Sequence, residues 1–185
     1  PMLYFAANQL ESDGAIMVTG SHNPPNHNGF KIMRGKIPFY GNDIIDIGIR
    51  GRDSNWHYTE GDSSNYEIKE QYIDALLKST KINNFNKKLK IAWDPGNGAA
   101  GEIIEKLVKL LPGEHFLINS KIDGMFPSHH PDPTDPENLK DIISLVKNKK
   151  LDLGLAFDGD GDRLGLVSGS GKIIWGDQIV AFLSG

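Results

Sequence analysis

Apolar and polar positions change together along this chain in short blocks, and the blocks predict an order of elements. Residues 2–10 are apolar enough for a helix, with Pro1 at its first turn. Residues 14–19 read as a short buried strand, 20–28 as a loop and 30–33 as the next strand. Residues 41–49 are ambiguous, with a short helix as one reading, and 51–65 are polar and irregular. Ile68, Tyr72, Ile73, Leu76 and Leu77 fall at helical spacing within 66–78. Residues 79–88 are rich in Lys and Asn and read as a linker. Beyond them the pattern alternates: strand 89–93, helix 101–111, strand 115–118, a proline-rich loop over 123–136 and helix 137–147. Strands at 151–157, 164–167 and 172–175 and a final helix complete it. Strands alternating with helices predict an α/β layer architecture. The helical pattern is already running at residue 1, and at 178–183 it stops just as a helix begins. Both ends therefore read as cut from a longer chain.

Bulk properties narrow the classes. A chain of 185 residues allows one large or two small domains, and an apolar content of 38% supports a real core. A net charge of −4 gives no general attraction to nucleic acid or to an anionic membrane. The chain has no Cys, which excludes disulfides and thiolate metal sites. No apolar run has the length of a membrane span, and the first residues lack a signal-peptide pattern. The expectation is a soluble cytoplasmic protein.

The chemistry concentrates first in Asp158-Gly159-Asp160-Gly161-Asp162-Arg163. Alternate residues of an extended chain lie about 6.6 Å apart, whereas Mg²⁺ takes oxygen ligands at roughly 2.0–2.1 Å. The run must curl to hold one ion, and Gly159 and Gly161 give the backbone freedom for that. Asp and Gly are also ordinary turn residues, but three alternating carboxylates repel one another without a cation. An EF-hand is excluded. Counted from Asp158, its sixth and twelfth positions require Gly and Glu and hold Arg163 and Gly169. The apolar run before Asp158 would place the acids at the C-terminal end of a strand, where α/β proteins keep their sites.

A second loop, Thr19-Gly20-Ser21-His22-Asn23-Pro24-Pro25, follows a buried strand. A Ser-His hydrolase is one reading. It lacks the G-x-S-x-G elbow, since Asn23 stands at the second glycine, and adjacent residues point apart. A phosphate-carrying serine is the other reading. Phosphoserine brings nearly two negative charges and needs a cation, and Asn28-Gly29-Phe30-Lys31 follows at once. Taken alone, Ser21 would be a turn-capping hydroxyl and Lys31 a solvated surface residue.

These segments, with Asp94-Pro95-Gly96-Asn97-Gly98, His129-His130-Pro131-Asp132-Pro133 and Pro136-Glu137-Asn138-Leu139, resemble the α-D-phosphohexomutase family. The similarity is closest to its bacterial phosphomannomutase/phosphoglucomutase branch and runs through almost the whole chain in the family's order. It implies two α/β domains with mixed sheets sandwiched by helices. Residues 1–82 would be the C-terminal part of the first domain and 83–185 the second, metal-binding domain. The third domain's Gly-Glu-Met-Ser-Gly-His loop and the fourth's Arg-x-Ser-Asn-Thr loop have no counterpart here, so domains three and four would be missing. The resemblance further implies that Ser21 is the phosphoserine. Asp158, Asp160 and Asp162 would bind Mg²⁺ together with a phosphate oxygen on Ser21. Arg163 would contact the phosphate, Lys31 would give acid/base help at a sugar hydroxyl, and His22 and Asn23 would orient the serine loop or the phosphate. His129 and His130 stay open between a functional role and packing between prolines. Asp94 to Gly98 stay open between a strand-to-helix turn and a phosphate loop without a Walker lysine.

The implied activity interconverts hexose 1-phosphate and hexose 6-phosphate through hexose 1,6-bisphosphate. Gly20 and Phe30 point away from the glucosamine branch, which tends to carry Ala and Ile there. Two other classes remain at this stage. One is a Mg²⁺-dependent phosphatase or phosphotransferase with an Asp nucleophile; the other is a non-catalytic fragment that binds a phosphosugar or a metal.

Overall fold

The computed structural model describes residues 1–21, 23–24, 26–54, 57–80 and 88–184. Its contacts separate two compact units. One holds Met2–Val18 and Phe30–Tyr72; the other holds Pro1, Thr19–Gly29 and Ile73–Gly185. The serine loop thus packs with the second unit although strands of the first flank it in sequence.

The first unit contains α1 (Met2–Gln9), β1 (Gly14–Val18), β2 (Phe30–Arg34), β3 (Ile37–Phe39) and α2 (Asn42–Arg52). The three strands form an antiparallel sheet in the order β1-β2-β3. Register sets Ala15 opposite Met33 and Met17 opposite Lys31 on one face, and Ile16 opposite Ile32 and Val18 opposite Phe30 on the other. Helix α1 packs on β1. Ile16, Val18, Phe30 and Ile37 are exposed. Strand β3 escapes sequence reading because Pro38 lacks an N–H for a ladder, and an edge strand tolerates it. The ambiguous block after Gly41 is helix. Helix α3 (Lys69–Ser79) follows, and in the first unit the ring of its Tyr72 lies 5.3 Å from that of Phe5. Most of the Lys- and Asn-rich linker lies outside the described residues.

The second unit is built on β4 (Lys90–Asp94), α4 (Gly101–Leu107) and β5 (Glu114–Leu117), then α5 (Lys140–Lys149), β6 (Leu153–Phe157), β7 (Leu164–Ser168), β8 (Ile173–Ile174) and α6 (Gly176–Leu183). Its sheet runs β5-β4-β6-β7-β8. β4 pairs in parallel with β5 and with β6, while β7 and β8 add antiparallel. The fold is mixed α/β, as the alternation predicts. Leu139, Ile142 and Val146 recur at helical spacing and bury one stripe against Ala92, Ala156 and Val167 of the sheet. Gly154 in β6 lets that helix approach closely, because a Cβ there would lie 2.9 Å from Val146 Cγ2.

Two helix boundaries differ from the pattern. Helix α4 ends at Leu107, four residues early, in a run of turns. The predicted 137–147 helix opens instead as a 3₁₀ turn, Pro136–Leu139, and becomes α-helical only at Lys140. Asp135 fixes that entry by accepting the N–H of Glu137 at 2.9 Å, with Pro136 in the first turn. Lys150, in a left-handed conformation at φ 52°, ends α5.

The parallel register sets Asp94 opposite Ala156. The loops leaving β4 and β6 therefore emerge side by side at the C-terminal ends of their strands. Among the described residues no helix is long and apolar enough to cross a membrane. Ile142 is fully buried in the stripe. Ile142→Ala is expected to cost about 2–5 kcal/mol, read as a lower denaturant midpoint with an unchanged slope.

Candidate functional site

The loop between β6 and β7 coils around its own first carboxylate. Asp158 is fully buried, at 0% exposure. Its Oδ1 accepts the backbone N–H groups of Asp162 and Arg163, each at 3.0 Å, and its Oδ2 accepts Arg163 Nε at 3.1 Å. The N–H of Gly161 returns to the Asp158 carbonyl at 3.0 Å. Bonds four and five residues forward force the curl that an ion site needs. Asp158, Asp160 and Asp162 can each present an oxygen so that all three lie within 4.8 Å of one another. Opposed ligands of a bound Mg²⁺ sit about 4.2 Å apart, so small side-chain rotations fit the group, and an all-carboxylate set suits a hard cation. The two glycines serve differently. Gly161 has φ +72°, the freedom expected of it, whereas Gly159 is required for a close approach.

That approach is to Ser21. A Cβ on Gly159 would fall 2.0 Å from the Ser21 carbonyl oxygen. The serine loop is pinched at its neck, where the Thr19 N–H donates to the Gly29 carbonyl at 2.9 Å. Within it Ser21 takes φ 49°, a left-handed conformation that costs a non-glycine residue about 1–3 kcal/mol. Its N–H donates to Thr19 Oγ1 at 2.9 Å. Its hydroxyl lies 3.0 Å from Asp158 Oδ2 and 3.1 Å from Asp160 Oδ1 and shares one proton between them. Two carboxylate acceptors hold Ser21 in this strained conformation.

Arg163 closes the group. Beyond its bond to Asp158, its Nη1 lies 3.6 Å from Asp132 Oδ1 on the proline-rich loop. Ser21, Asp158, Asp160, Asp162 and Arg163 are thus brought together. Two other residues named from sequence are placed within their own units. Asn23 is exposed, its N–H closing a turn on the Gly20 carbonyl at 2.8 Å. Lys31 lies on β2 in the first unit, opposite Met17. His22 lies outside the described residues.

A second buried carboxylate was not foreseen as a centre. Asp94, at 0% exposure, accepts the Gly96 N–H at 2.9 Å, Asn119 Nδ2 at 3.1 Å and His129 Nε2 at 3.0 Å. The other ring nitrogen of His129 lies 3.0 Å from the His130 carbonyl. Both neighbours are acceptors, so only a ring with a proton on each nitrogen satisfies both. The bond to Asp94 raises the His129 pKa above the ordinary histidine value; burial opposes it, and the His130 carbonyl and the charges of Asp94 and Asp141 add to the rise. The segment 94–98 is a strand-to-helix turn tied down by its first residue, and His130 itself is exposed. The Ala99 N–H donates to the Gly159 carbonyl at 2.9 Å, joining this turn to the acidic loop.

Gly159→Ala is expected to displace the serine loop and lower the melting temperature by the equivalent of about 1–3 kcal/mol. Gly124→Ala, where a Cβ meets open space, leaves it unchanged. The His129 ion pair has a sign that can be tested as well. A raised folded pKa gives stability that is fully present below the ordinary value of about 6.5 and is lost as pH rises through the folded value. His129→Gln is therefore expected to be more destabilising, against the unsubstituted chain, in denaturant titrations at acid pH than at pH well above neutrality. A gap that widens with rising pH would remove the doubly protonated ring.

The family model for phosphoglucomutase/phosphomannomutase alpha/beta/alpha domain II matches residues 70–171, and that for domain I matches residues 1–45. A phosphomannomutase/phosphoglucomutase of Pseudomonas putida is 41% identical over 180 residues, covering 97% of this chain and 38% of its own length. A phosphoglucomutase of Neisseria gonorrhoeae is 42% identical over 185 residues, covering 96% of this chain and again 38% of its own. The crystal structure of a phosphoglucomutase/phosphomannomutase family protein from Burkholderia thailandensis superposes with a TM-score of 0.92 at 39% identity. It covers all of this chain and 41% of that one. The chain thus spans well under half the length of these relatives. With one domain model matched over more than half of its residues and a second matched ahead of it, the chain belongs to the phosphoglucomutase/phosphomannomutase family.

Proposed function

We propose that this chain carries the phosphoserine and the metal loop of a phosphohexomutase that interconverts hexose 1-phosphate and hexose 6-phosphate, with mannose and/or glucose as the sugar. The observation behind this reading is the Ser21 hydroxyl set 3.0 Å from the buried Asp158 carboxylate, 137 residues away in sequence. The names of the relatives support the same reaction.

A free hydroxyl of the hexose monophosphate attacks the phosphorus carried on Ser21. The bond from phosphorus to Ser21 Oγ breaks, and the hydroxyl proton ends on that Oγ. Lys31 is assigned, on the family resemblance alone, acid/base help at the sugar hydroxyl. The bisphosphorylated sugar turns, the reverse transfer from its other phosphate restores phosphoserine, and the isomeric monophosphate leaves. Phosphoryl transfer depends mainly on positioning and on charge. Asp158 and Asp160 accept the Ser21 hydroxyl once the phosphoryl group has left it, and the fork of Arg163 suits phosphate oxygens. Mg²⁺, held by Asp158, Asp160, Asp162 and a phosphate oxygen on Ser21, would supply positive charge to the transferring group.

For Asp158, the alternative of an Asp nucleophile loses support. Both oxygens of Asp158 already accept hydrogen bonds, from two backbone N–H groups, the arginine and the serine. The 185 residues alone are proposed to bind the cation and turn nothing over, since the relatives use chains more than twice as long. In the full-length protein, mass spectrometry is expected to find phosphate on Ser21. Ser21→Ala is expected to drop activity on glucose 1-phosphate and mannose 1-phosphate, with a trace of bisphosphate present, to background. Phosphate trapped on an aspartate, or near-normal turnover by Ser21→Ala, would end this reading.

A further inference from the structure

The acidic loop has a neighbour that the phosphotransfer scheme leaves without a role. Asp132 stands on the proline-rich loop, and its Oδ1 lies 3.6 Å from Arg163 Nη1. Arg163 Nε, on another edge of the same guanidinium, is bonded to Asp158 Oδ2 at 3.1 Å. We propose that Asp132 is a positioning residue, whose carboxylate sets the orientation of the Arg163 guanidinium toward the phosphate on Ser21. The proposal rests on the phosphoserine reading above.

A carboxylate can hold an arginine only if it is itself held, and Asp132 is. Its N–H donates to the His130 carbonyl at 2.9 Å, and its carbonyl accepts Asn138 Nδ2 at 2.9 Å. The prolines on both sides are buried, and Pro133 lies so close to β7 that a Cβ on Gly165 would come within 2.8 Å of it. Three residues earlier, His129 is bonded to the buried Asp94 at the end of β4. The loop is thus pinned to two strands of the sheet, and Arg163 is gripped from two segments. Asp158 holds one edge of the guanidinium by a hydrogen bond, and the charge of Asp132, 3.6 Å from another edge, adds a second constraint on its orientation.

Asp132 has a second duty that could account for it without any role toward Arg163. Its Oδ1 also accepts the Thr134 N–H at 3.1 Å and Thr134 Oγ1 at 2.7 Å, a turn-capping arrangement. The two duties separate by substitution. Asparagine keeps an acceptor oxygen for Thr134 but has no charge for Arg163. Thr134→Val removes the hydroxyl contact and keeps the charge.

The test compares Asp132→Asn, Thr134→Val and Ser21→Ala in the full-length protein, measuring melting temperature, kcat and KM on hexose 1-phosphate. Asp132→Asn is expected to leave the melting temperature and KM unchanged and to lower kcat about tenfold or more, since a misplaced group costs rate steeply. Thr134→Val is expected to keep kcat. Wild-type kcat in Asp132→Asn, beside an inactive Ser21→Ala, overturns this proposal and leaves the phosphoserine reading standing. Equal losses of kcat and melting temperature in Asp132→Asn and Thr134→Val assign Asp132 to the turn and overturn it too. An active Ser21→Ala removes the phosphoserine reading and this proposal with it.

Discussion

The burial of one carboxylate governs this structure's chemistry. An ion removed from water costs several kcal/mol unless its oxygens find donors. Asp158, fully buried, finds four: the N–H groups of Asp162 and Arg163, the Arg163 side chain and the Ser21 hydroxyl. Satisfying it dictates the loop. The backbone must turn back within five residues, which gathers Asp160 and Asp162 beside it. It must also admit a hydroxyl from a distant segment, which leaves no room for a side chain at Gly159. The acidic cluster and the serine's place in it follow from the same requirement.

Two buried carboxylates sit at the ends of adjacent parallel strands, and each has a different cation. Asp158 has an arginine, which keeps its charge at any pH a folded protein experiences. Asp94 has a histidine, whose charge depends on pH and which Asp94 itself raises toward the protonated form. On the reading proposed above, the first arrangement would suit a site that offers a fixed positive charge to an incoming phosphate. The second suits a structural tie. It holds the proline-rich loop against the turn after β4, and that turn is bonded through Ala99 to the acidic loop. The β4–β6 register makes the arrangement possible, because it brings both strand ends level.

The sequence was most legible where chemistry and pattern coincide. The apolar run before Asp158 announced a buried strand, and the spacing of the acids required a curl that the backbone bonds supply. The meeting of Ser21 with Asp158 was accessible only through the types of residue in each loop, since no local pattern encodes a contact across 137 positions. Other features left no such trace. Pro38 hid an edge strand behind a residue that argues against strands. Isoleucines 44, 45, 47 and 49 remain exposed in α2, so burial never imposed a clear helical stripe there. Asp94, Asn119 and His129 come from three separate segments. Each alone reads as a turn or loop residue, and only the fold makes them a buried ion pair.

The geometry around Ser21 also sets a condition on its chemistry. As a free hydroxyl it is a donor, and it faces two carboxylates that need one. A phosphate there would exchange that donor for several acceptor oxygens and nearly two negative charges. Set against Asp158, Asp160 and Asp162, such a group would be repelled, and Arg163 brings a single positive charge already engaged by Asp158 and Asp132. A divalent cation changes the sign of that interaction, since each added anionic oxygen then gains a partner. On the reading proposed above, phosphate on the serine and a cation on the acids would therefore be linked, the phosphorylated serine favouring a bound cation more than the free hydroxyl does. A phosphorylated Ser21 would need such a cation, and Asp158 and Asp160, which accept the free hydroxyl, would with Asp162 enforce the requirement.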